Sequence, residues 1–267
     1  MVKHSKPTMP FAKPAISSKS AYKLVFHDEF NAKGLDKSKW NTCYDSYDNT
    51  HHGCTNYGND ESEWYKPSQV TVANGNMTLT AQKKPTEGIV RDGNYHTYPY
   101  ASGMVSTGRY LYSTPEKWSG KYGYYEARMK VPSGQGIWPA FWLLPVEHTW
   151  PPEIDVMELL GNKPNQILTT YFWKDGTGNM QRDSSPYTAP TSFASSWHTY
   201  AIDWEKGTID WYIDGKNIKH VSSANVPSIN MQIIFDLAVG GRLPGYPDVT
   251  TPATAKMIID YVRVYNK

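Results

Sequence analysis

Long apolar runs are missing from this chain of 267 residues. Its richest stretch, Ile137 to Val146, is interrupted by Pro139 and Pro145, well short of the ~18 residues of a membrane helix. Charge is sparse as well, at 19% against the ~25% usual in soluble domains. The formal charge is +2, but Lys3, Lys6, Lys13 and Lys19 stand in the first twenty residues with no acid among them. The rest of the chain carries 23 basic against 25 acidic residues, so nothing advertises a nucleic-acid surface. Neither a membrane nor a nucleic acid is an expected partner. The chain lacks a Gly-x-Ser-x-Gly elbow, a Gly-rich phosphate loop and a His-Glu-x-x-His pair, which leaves esterase, nucleotide and zinc-protease readings without support. Helical periodicity is almost absent too.

Cysteine is scarce, with only Cys43 and Cys54 enclosing ten residues rich in Asp, Asn and His. A disulfide there suits an oxidising compartment. A metal site with His51 and His52, or two free thiols, are the alternatives, and the spacing fits no familiar zinc pattern. Residues 1–21 mix Lys, Ser, Pro and Thr without period and lack the apolar centre of a signal peptide. They read as a flexible leader or linker, with a catalytic domain expected over 22–267. A secreted protein is expected, its signal absent from this chain.

What is abundant is aromatic: 14% of residues, with 10 Trp and 20 Tyr. Short segments alternate apolar and polar residues between Gly, Pro, Asn and Asp, the pattern of strands. Asn74-Gly75 and Asp214-Gly215 separate such segments and predict hairpins. From Tyr122 to Val131 the alternation puts Tyr125, Ala127, Met129 and Val131 on one face and Glu126, Arg128 and Lys130 on the other. A dozen or so strands without a repeat predict an all-β fold, an antiparallel two-sheet jelly-roll sandwich with a concave substrate cleft. In Ile137 to Trp142, Trp138, Ala140 and Trp142 share one side, and Ile137 and Phe141 the other. Periodicity alone leaves open which is core and which could stack on a sugar ring. His198 reads as a satisfied core histidine rather than a cleft residue.

The informative stretch is Glu153-Ile154-Asp155-Val156-Met157-Glu158. Glu153 and Asp155 are two apart and share a strand face, whereas Glu158 is at odd spacing. A β-bulge near Val156-Met157 would return it to the same side. Two glutamates so placed could form a glycosidase pair, with Asp155 ordering their protons. A plain acidic patch is about equally compatible with the spacing.

This hexapeptide resembles the active-site signature of glycoside hydrolase family 16, in its bulged, laminarinase-like form. The resemblance extends through Phe26 to Phe30, Leu35 to Trp40, Asn59 to Tyr65, Tyr122 to Arg128 and Gly136 to Leu144. It continues through Trp197 to Tyr200, Leu237 to Gly241 and Asp260 to Tyr265. It implies a retaining, endo-acting hydrolase of beta-1,3- or mixed beta-1,3/1,4-glucan, needing no cofactor for catalysis and working as a monomer on a polysaccharide. By position it implies Glu153 as nucleophile, Glu158 as general acid/base and Asp155 as the assisting carboxylate. Asn59, Trp138, Trp142, Trp150 and Tyr171 are the candidate substrate contacts. It also implies a structural calcium held by Asp260, expected on a strand face with Ile258, Val262 and Val264, and by main-chain oxygens of Glu29 and Gly75. Three positions depart from the pattern: Met104 where Arg is common, Thr169 to Trp173 where a His is frequent, and Asp236 where Asn is usual. A hydrolase of galactan, agar or carrageenan, or a non-catalytic carbohydrate-binding module, are the alternatives. Xyloglucan transglycosylases usually lack the residue corresponding to Met157, which sets them aside.

Overall fold

The computed structural model describes residues 22–43, 54, 59–89, 94–109, 114–147, 149–194 and 196–267. The expected leader at 1–21 and the whole loop 44–53 between the cysteines, with His51 and His52, lie outside these residues. The strands, in chain order, are β1 (Lys23–Asp28), β2 (Glu63–Tyr65), β3 (Val70–Ala73), β4 (Asn76–Ile89), β5 (Tyr95–Ser102), β6 (Met104–Ser106), β7 (Gly123–Lys130) and β8 (Ile137–Pro145). Next come β9 (Glu153–Glu158), β10 (Gln166–Lys174), β11 (Met180–Thr188), β12 (Trp197–Glu205), β13 (Thr208–Ile213), β14 (Lys216–Ser222), β15 (Met231–Val239) and β16 (Thr254–Asn266).

They form two sheets. One runs β14-β13-β12-β7-β16-β4-β5-β2, with β1 added on β16 and β3 on β4; the other runs β11-β10-β9-β8-β15-β6. Among the described strands, pairing is antiparallel except that β2 runs parallel to β5, a single departure from the expected sandwich. Both predicted hairpins form. Asn74 and Gly75 take φ of 53° and 72°, and Asp214 and Gly215 take 49° and 78°, the positive-φ pair that a two-residue hairpin turn demands.

The core lies between the sheets. Tyr125, Ala127, Met129 and Val131 point into it from β7 and its end, as the alternation predicts, against Ile137, Phe141 and Leu143 of β8 and Ile233, Phe235 and Leu237 of β15. Phe141 stacks on Phe235 with centroids 4.6 Å apart. Each such side chain withdraws enough apolar surface to stabilise the fold by about 1.5–3 kcal/mol. Their register therefore also fixes what the opposite face of each strand presents.

One face assignment is corrected. The register of β16 shifts between Ile259 and Tyr261, so Met257 and Ile259 join Val262 and Val264 in the core. Ile258 turns the other way. Asp260 sits at the bulge, off the core face, and its Oδ2 accepts from Arg128 Nη1 at 2.8 Å. The two cysteines form a disulfide with Cα atoms 4.9 Å apart.

Candidate active site

The smaller sheet turns its second face away from the core, and alternation decides what stands there. On β8 that face carries Trp138, Ala140 and Trp142; on β15 it carries Gln232, Ile234, Asp236 and Ala238. The ambiguity over Ile137 to Trp142 is thereby resolved: Ile137 and Phe141 are core. On β9 the face carries Glu153, Asp155 and Glu158, because the expected bulge is present. Phe141 pairs with Met157 and Trp142 with Asp155, leaving Val156 as the extra residue. The pairing with β10 shifts at the same place, with Leu168 opposite Glu158 and Thr170 opposite Asp155. Ile154, Val156 and Met157 all reach the core. The bulge lets two consecutive apolar residues face inward, so all three carboxyls stay on the outer side.

Each acid has specific partners. Trp150 Nε1 donates to Glu153 Oε2 at 2.7 Å, and Asp155 hydrogen-bonds Glu153 through its own carboxyl. Trp138 Nε1 donates to Glu158 Oε1 at 3.1 Å, and Thr170 also hydrogen-bonds Glu158. From behind, Trp211 Nε1 donates to the main-chain oxygen of Asp155 at 2.8 Å, tying the catalytic strand to the opposite sheet. Two apolar clusters flank the acids: Trp138, Leu160 and Ala238 on one side, and Met104, Ala140, Trp142 and Ile234 with Trp64, Tyr65, Tyr98 and both cysteines on the other.

Burial among these walls raises every carboxyl. Glu153 rises to about 7, chiefly by desolvation, which the donors Trp150 and Asp155 oppose. Glu158 rises to about 8 through desolvation and then the charge of Glu153. Asp155 is held well above the usual range by desolvation and by Glu153 and Glu158 on either side. At neutral pH the row thus holds protons, the arrangement that lets one carboxyl act as an acid while its neighbour is ionised.

The expected substrate contacts separate into three groups. Trp138 and Trp142 stand on the cleft face but are only 7% and 8% exposed; their indole N–H groups are committed to Glu158 and to Asp236 Oδ1, the latter at 2.7 Å. They are wall residues more than open platforms. Trp150, 47% exposed beside Phe172, is the aromatic surface a sugar ring could meet. Asn59 is joined to the cleft indirectly: its Nδ2 donates to Glu61 Oε1 at 3.0 Å, and Tyr65 OH lies 3.4 Å from Glu61 Oε2 and 3.1 Å from Asp236 Oδ2. Tyr171 is a correction. It pairs with Ile154, is fully buried in the core and stacks on Trp173 at 4.6 Å. Its alternation partners Thr170 and Phe172 face the cleft instead. His198 is not the satisfied core histidine expected: it is half-buried on β12, its Nδ1 lies 2.7 Å from Oδ2 of the exposed Asp214, and its Nε2 has no hydrogen-bond partner among the described residues.

Reasoning from sequence missed Glu61, Glu63, Tyr65 and Thr170 as neighbours of the site. For Thr170 and Asp236 a signal existed in the strand alternation. For Glu61, Glu63 and Tyr65 the segment Asn59 to Tyr65 was part of the family resemblance, but their place beside Asp236 depends on the parallel pairing of β2, which local pattern does not encode.

Residues 58–263 match the family model for glycosyl hydrolases family 16. Endo-1,3-1,4-beta-glycanase EglC of Rhizobium meliloti is 33% identical over 93% of this chain and 52% of its own length. Glucan endo-1,3-beta-glucosidase A1 of Niallia circulans is 35% identical over 95% of this chain and 39% of its own. The chain thus spans about half or less of the curated relatives it matches first. The laminarinase catalytic domain of Thermotoga maritima superposes with a TM-score of 0.77 at 32% identity, covering 92% of this chain and 98% of that one.

Proposed function

The chain belongs to family 16 of the glycosyl hydrolases, and on that premise we propose that it is a retaining, endo-acting hydrolase of beta-1,3- or mixed beta-1,3/1,4-glucan. The observation that carries the reading is the bulge at Val156, which puts the half-buried Glu153 and the buried Asp155 and Glu158 on one face between two apolar walls. The names of the relatives, a beta-glycanase, a glucan endo-beta-glucosidase and a laminarinase, support the substrate class.

In this reading Glu153 attacks the anomeric carbon while Glu158, protonated, delivers its proton to the leaving oxygen. Glu153 must be ionised to attack. The donors Trp150 and Asp155 favour that form, so the proton in the row resides on Asp155 and Glu158 rather than on the nucleophile. Once the leaving sugar departs, Glu158 as carboxylate takes a proton from water, and the resulting hydroxide releases the glycosyl group with its configuration retained. Trp138, bonded to Glu158, holds its carboxyl in the orientation both steps require.

Secretion and a monomeric state are proposed with this reading; the disulfide supports an oxidising compartment. We also propose a structural calcium. Asp260 would follow Ile259, which pairs with Met77 just after the Asn74-Gly75 turn, and Val262 pairs with Asp28 just before Glu29. Register therefore brings Glu29, Gly75 and Asp260 to one corner, and a carboxylate with main-chain oxygens suits a hard cation. Arg128, already bonded to Asp260, is the competing counter-charge. No catalytic step passes through this site.

The test of the catalytic assignment is azide rescue. Glu153→Ala with azide should form an α-glycosyl azide and Glu158→Ala the β product, each from an enzyme that alone cleaves laminarin at least ~10³-fold more slowly. Near-native turnover in either variant would overturn the role assigned to that residue. Digestion of laminarin, lichenan, agarose and β-galactan with product sizing checks the substrate; cleavage of galactans alone would move the substrate and leave the mechanism.

A further inference from the structure

Asp236 lies outside the catalytic strand yet belongs to its row. It pairs across β15 and β8 with Ala140, and Ala140 pairs on its other edge with Glu158. Asp236, Ala140 and Glu158 therefore stand side by side on the cleft face of three adjacent strands. Two strand spacings separate the outer α-carbons by about 10 Å, and only an alanine methyl rises between the carboxyls. Asp236 is 4% exposed, with Trp142 Nε1 on one oxygen at 2.7 Å and Tyr65 OH on the other at 3.1 Å.

We infer that Asp236 is a positioning residue, a fourth carboxyl of the active-site row that shares ionisation with Glu158 across Ala140, so that the charge on one keeps the proton on the other. The titratable groups facing Asp236 are Glu61, Glu63 and Tyr65 from β2 and the segment before it, and Glu153, Asp155 and Glu158 from β9. Glu158 faces Glu153 and Asp155 along its own strand, with the uncharged Trp138 and Thr170 from β8 and β10. Like charges at this range in a desolvated cleft disfavour double ionisation, so the set gives up protons as a coupled system. In agreement, Asp236 itself is pushed up to about 8, by desolvation first and then by Glu61. An asparagine would keep an oxygen for the Trp142 indole and could reorganise with the Tyr65 hydroxyl, but it would supply no charge. The aspartate therefore adds something an amide cannot, beyond holding two neighbours.

The inference rests on Glu158 as the acid/base, and two readouts keep its fate separate from that reading. Thermal melts of wild type, Asp236→Asn, Glu158→Gln and the double variant between pH 4 and pH 9 require no substrate. The Asp236→Asn protein should gain in melting temperature relative to wild type as pH rises, and that gain should shrink once Glu158 is already Gln. In the pH profile of kcat/KM on laminarin, the basic limb of Asp236→Asn should move down by roughly one unit, the effect of a charge about 10 Å away at an effective dielectric near 20. Parallel melting curves, or an unmoved basic limb in an active Asp236→Asn enzyme, would overturn the inference. Coupled melts in a wild type that cleaves no glucan would sink the functional reading and leave the coupled row standing. Should Asp236→Asn fail to fold, Tyr65→Phe removes one donor to the carboxylate and should move the limb the same way by less; no movement there would also overturn it.

Discussion

Two sets of acids in this molecule are treated in opposite ways. On the larger sheet, Glu29 receives Arg263 through Nε at 2.9 Å and Nη2 at 2.8 Å, and Asp260 receives Arg128. On the smaller sheet, Glu153, Asp155, Glu158 and Asp236 are met by indole and hydroxyl donors, and none of them forms an ion pair among the described residues. A cation beside a carboxylate locks it in the ionised form and adds stability. A neutral donor in a dry wall leaves the proton free to move, and the desolvation left uncompensated is where the raised carboxyls come from. In these two sets the same residue type thus serves stability where a guanidinium meets it and chemistry in the catalytic row, and each set can be broken separately.

The largest expected effect falls on the unpaired side and has two signs. Glu158→Gln should abolish most hydrolysis while raising stability at neutral pH. The glutamate binds a proton near pH 8 in the folded protein but only near the ordinary carboxylate range when unfolded. Between those values the folded state holds more protons, so its stability falls as pH rises. The variant's advantage in melting temperature should therefore widen from pH 5 to pH 8, as calorimetry would read it. A constant offset across that range would mean that Glu158 is not held protonated by its surroundings.

The mirror experiment breaks a pair. Arg263→Ala removes a guanidinium whose side chain is 5% exposed and leaves Glu29, a quarter exposed, with no bidentate partner. The loss should be about 2–3 kcal/mol, below the range for fully buried pairs because solvent reaches the acid. That corresponds to a fall of roughly 5–10 °C in melting temperature for a chain of this size. Activity measured well below the melting temperature should be unchanged. A drop in kcat without a drop in stability would blur the division between the two sets.

A smaller change sharpens the division within the active row. Trp150→Phe keeps the exposed ring but removes the indole donor to Glu153. Losing that donor disfavours the charged nucleophile, so the acid limb of kcat/KM should move to higher pH, by roughly half a unit for one solvent-exposed hydrogen bond. A shift to lower pH, or none, would place the donor elsewhere in the catalytic complex.

Much of this was legible in the chain itself, and what was hidden has a common cause. Alternation along Tyr125 to Val131 and Ile137 to Trp142 specified which side chains face the core, and the odd spacing of Glu158 required a bulge that is present. Local pattern failed where register depends on a distant strand. Tyr171 looked like a cleft aromatic until its pairing with Ile154 turned it inward, and the bulge at Asp260 reversed the face assigned to Ile258. The donors around Asp236 come from residues 171 positions away in the case of Tyr65, a contact that only the assembled sheets create. Asp236 itself was visible as a departure from the family pattern, but its place in a row with Glu158 depends on three strands in register.

The last expected effect is that of calcium, and it decides how Asp260 belongs in the comparison. Asp260 is 6% exposed, so its charge must be compensated, and Arg128 compensates one oxygen. If the guanidinium is the whole answer, calcium and chelator should give the same melting temperature, and Asp260→Ala should lower both equally. If a cation also sits with the main-chain oxygens of Glu29 and Gly75, it binds only the folded chain, because unfolding scatters ligands drawn from β16, the β3–β4 turn and the end of β1. Mass action then stabilises the fold by an amount set by the ratio of calcium to its dissociation constant, about 2.7 kcal/mol at a hundredfold excess. A rise of a few degrees in calcium over chelator is expected, abolished in Asp260→Ala and preserved in Arg128→Gln. Equal melting temperatures for the wild type in calcium and chelator would leave Asp260 without a cation of this kind and make it, with Arg128, one more ion-paired acid of the larger sheet.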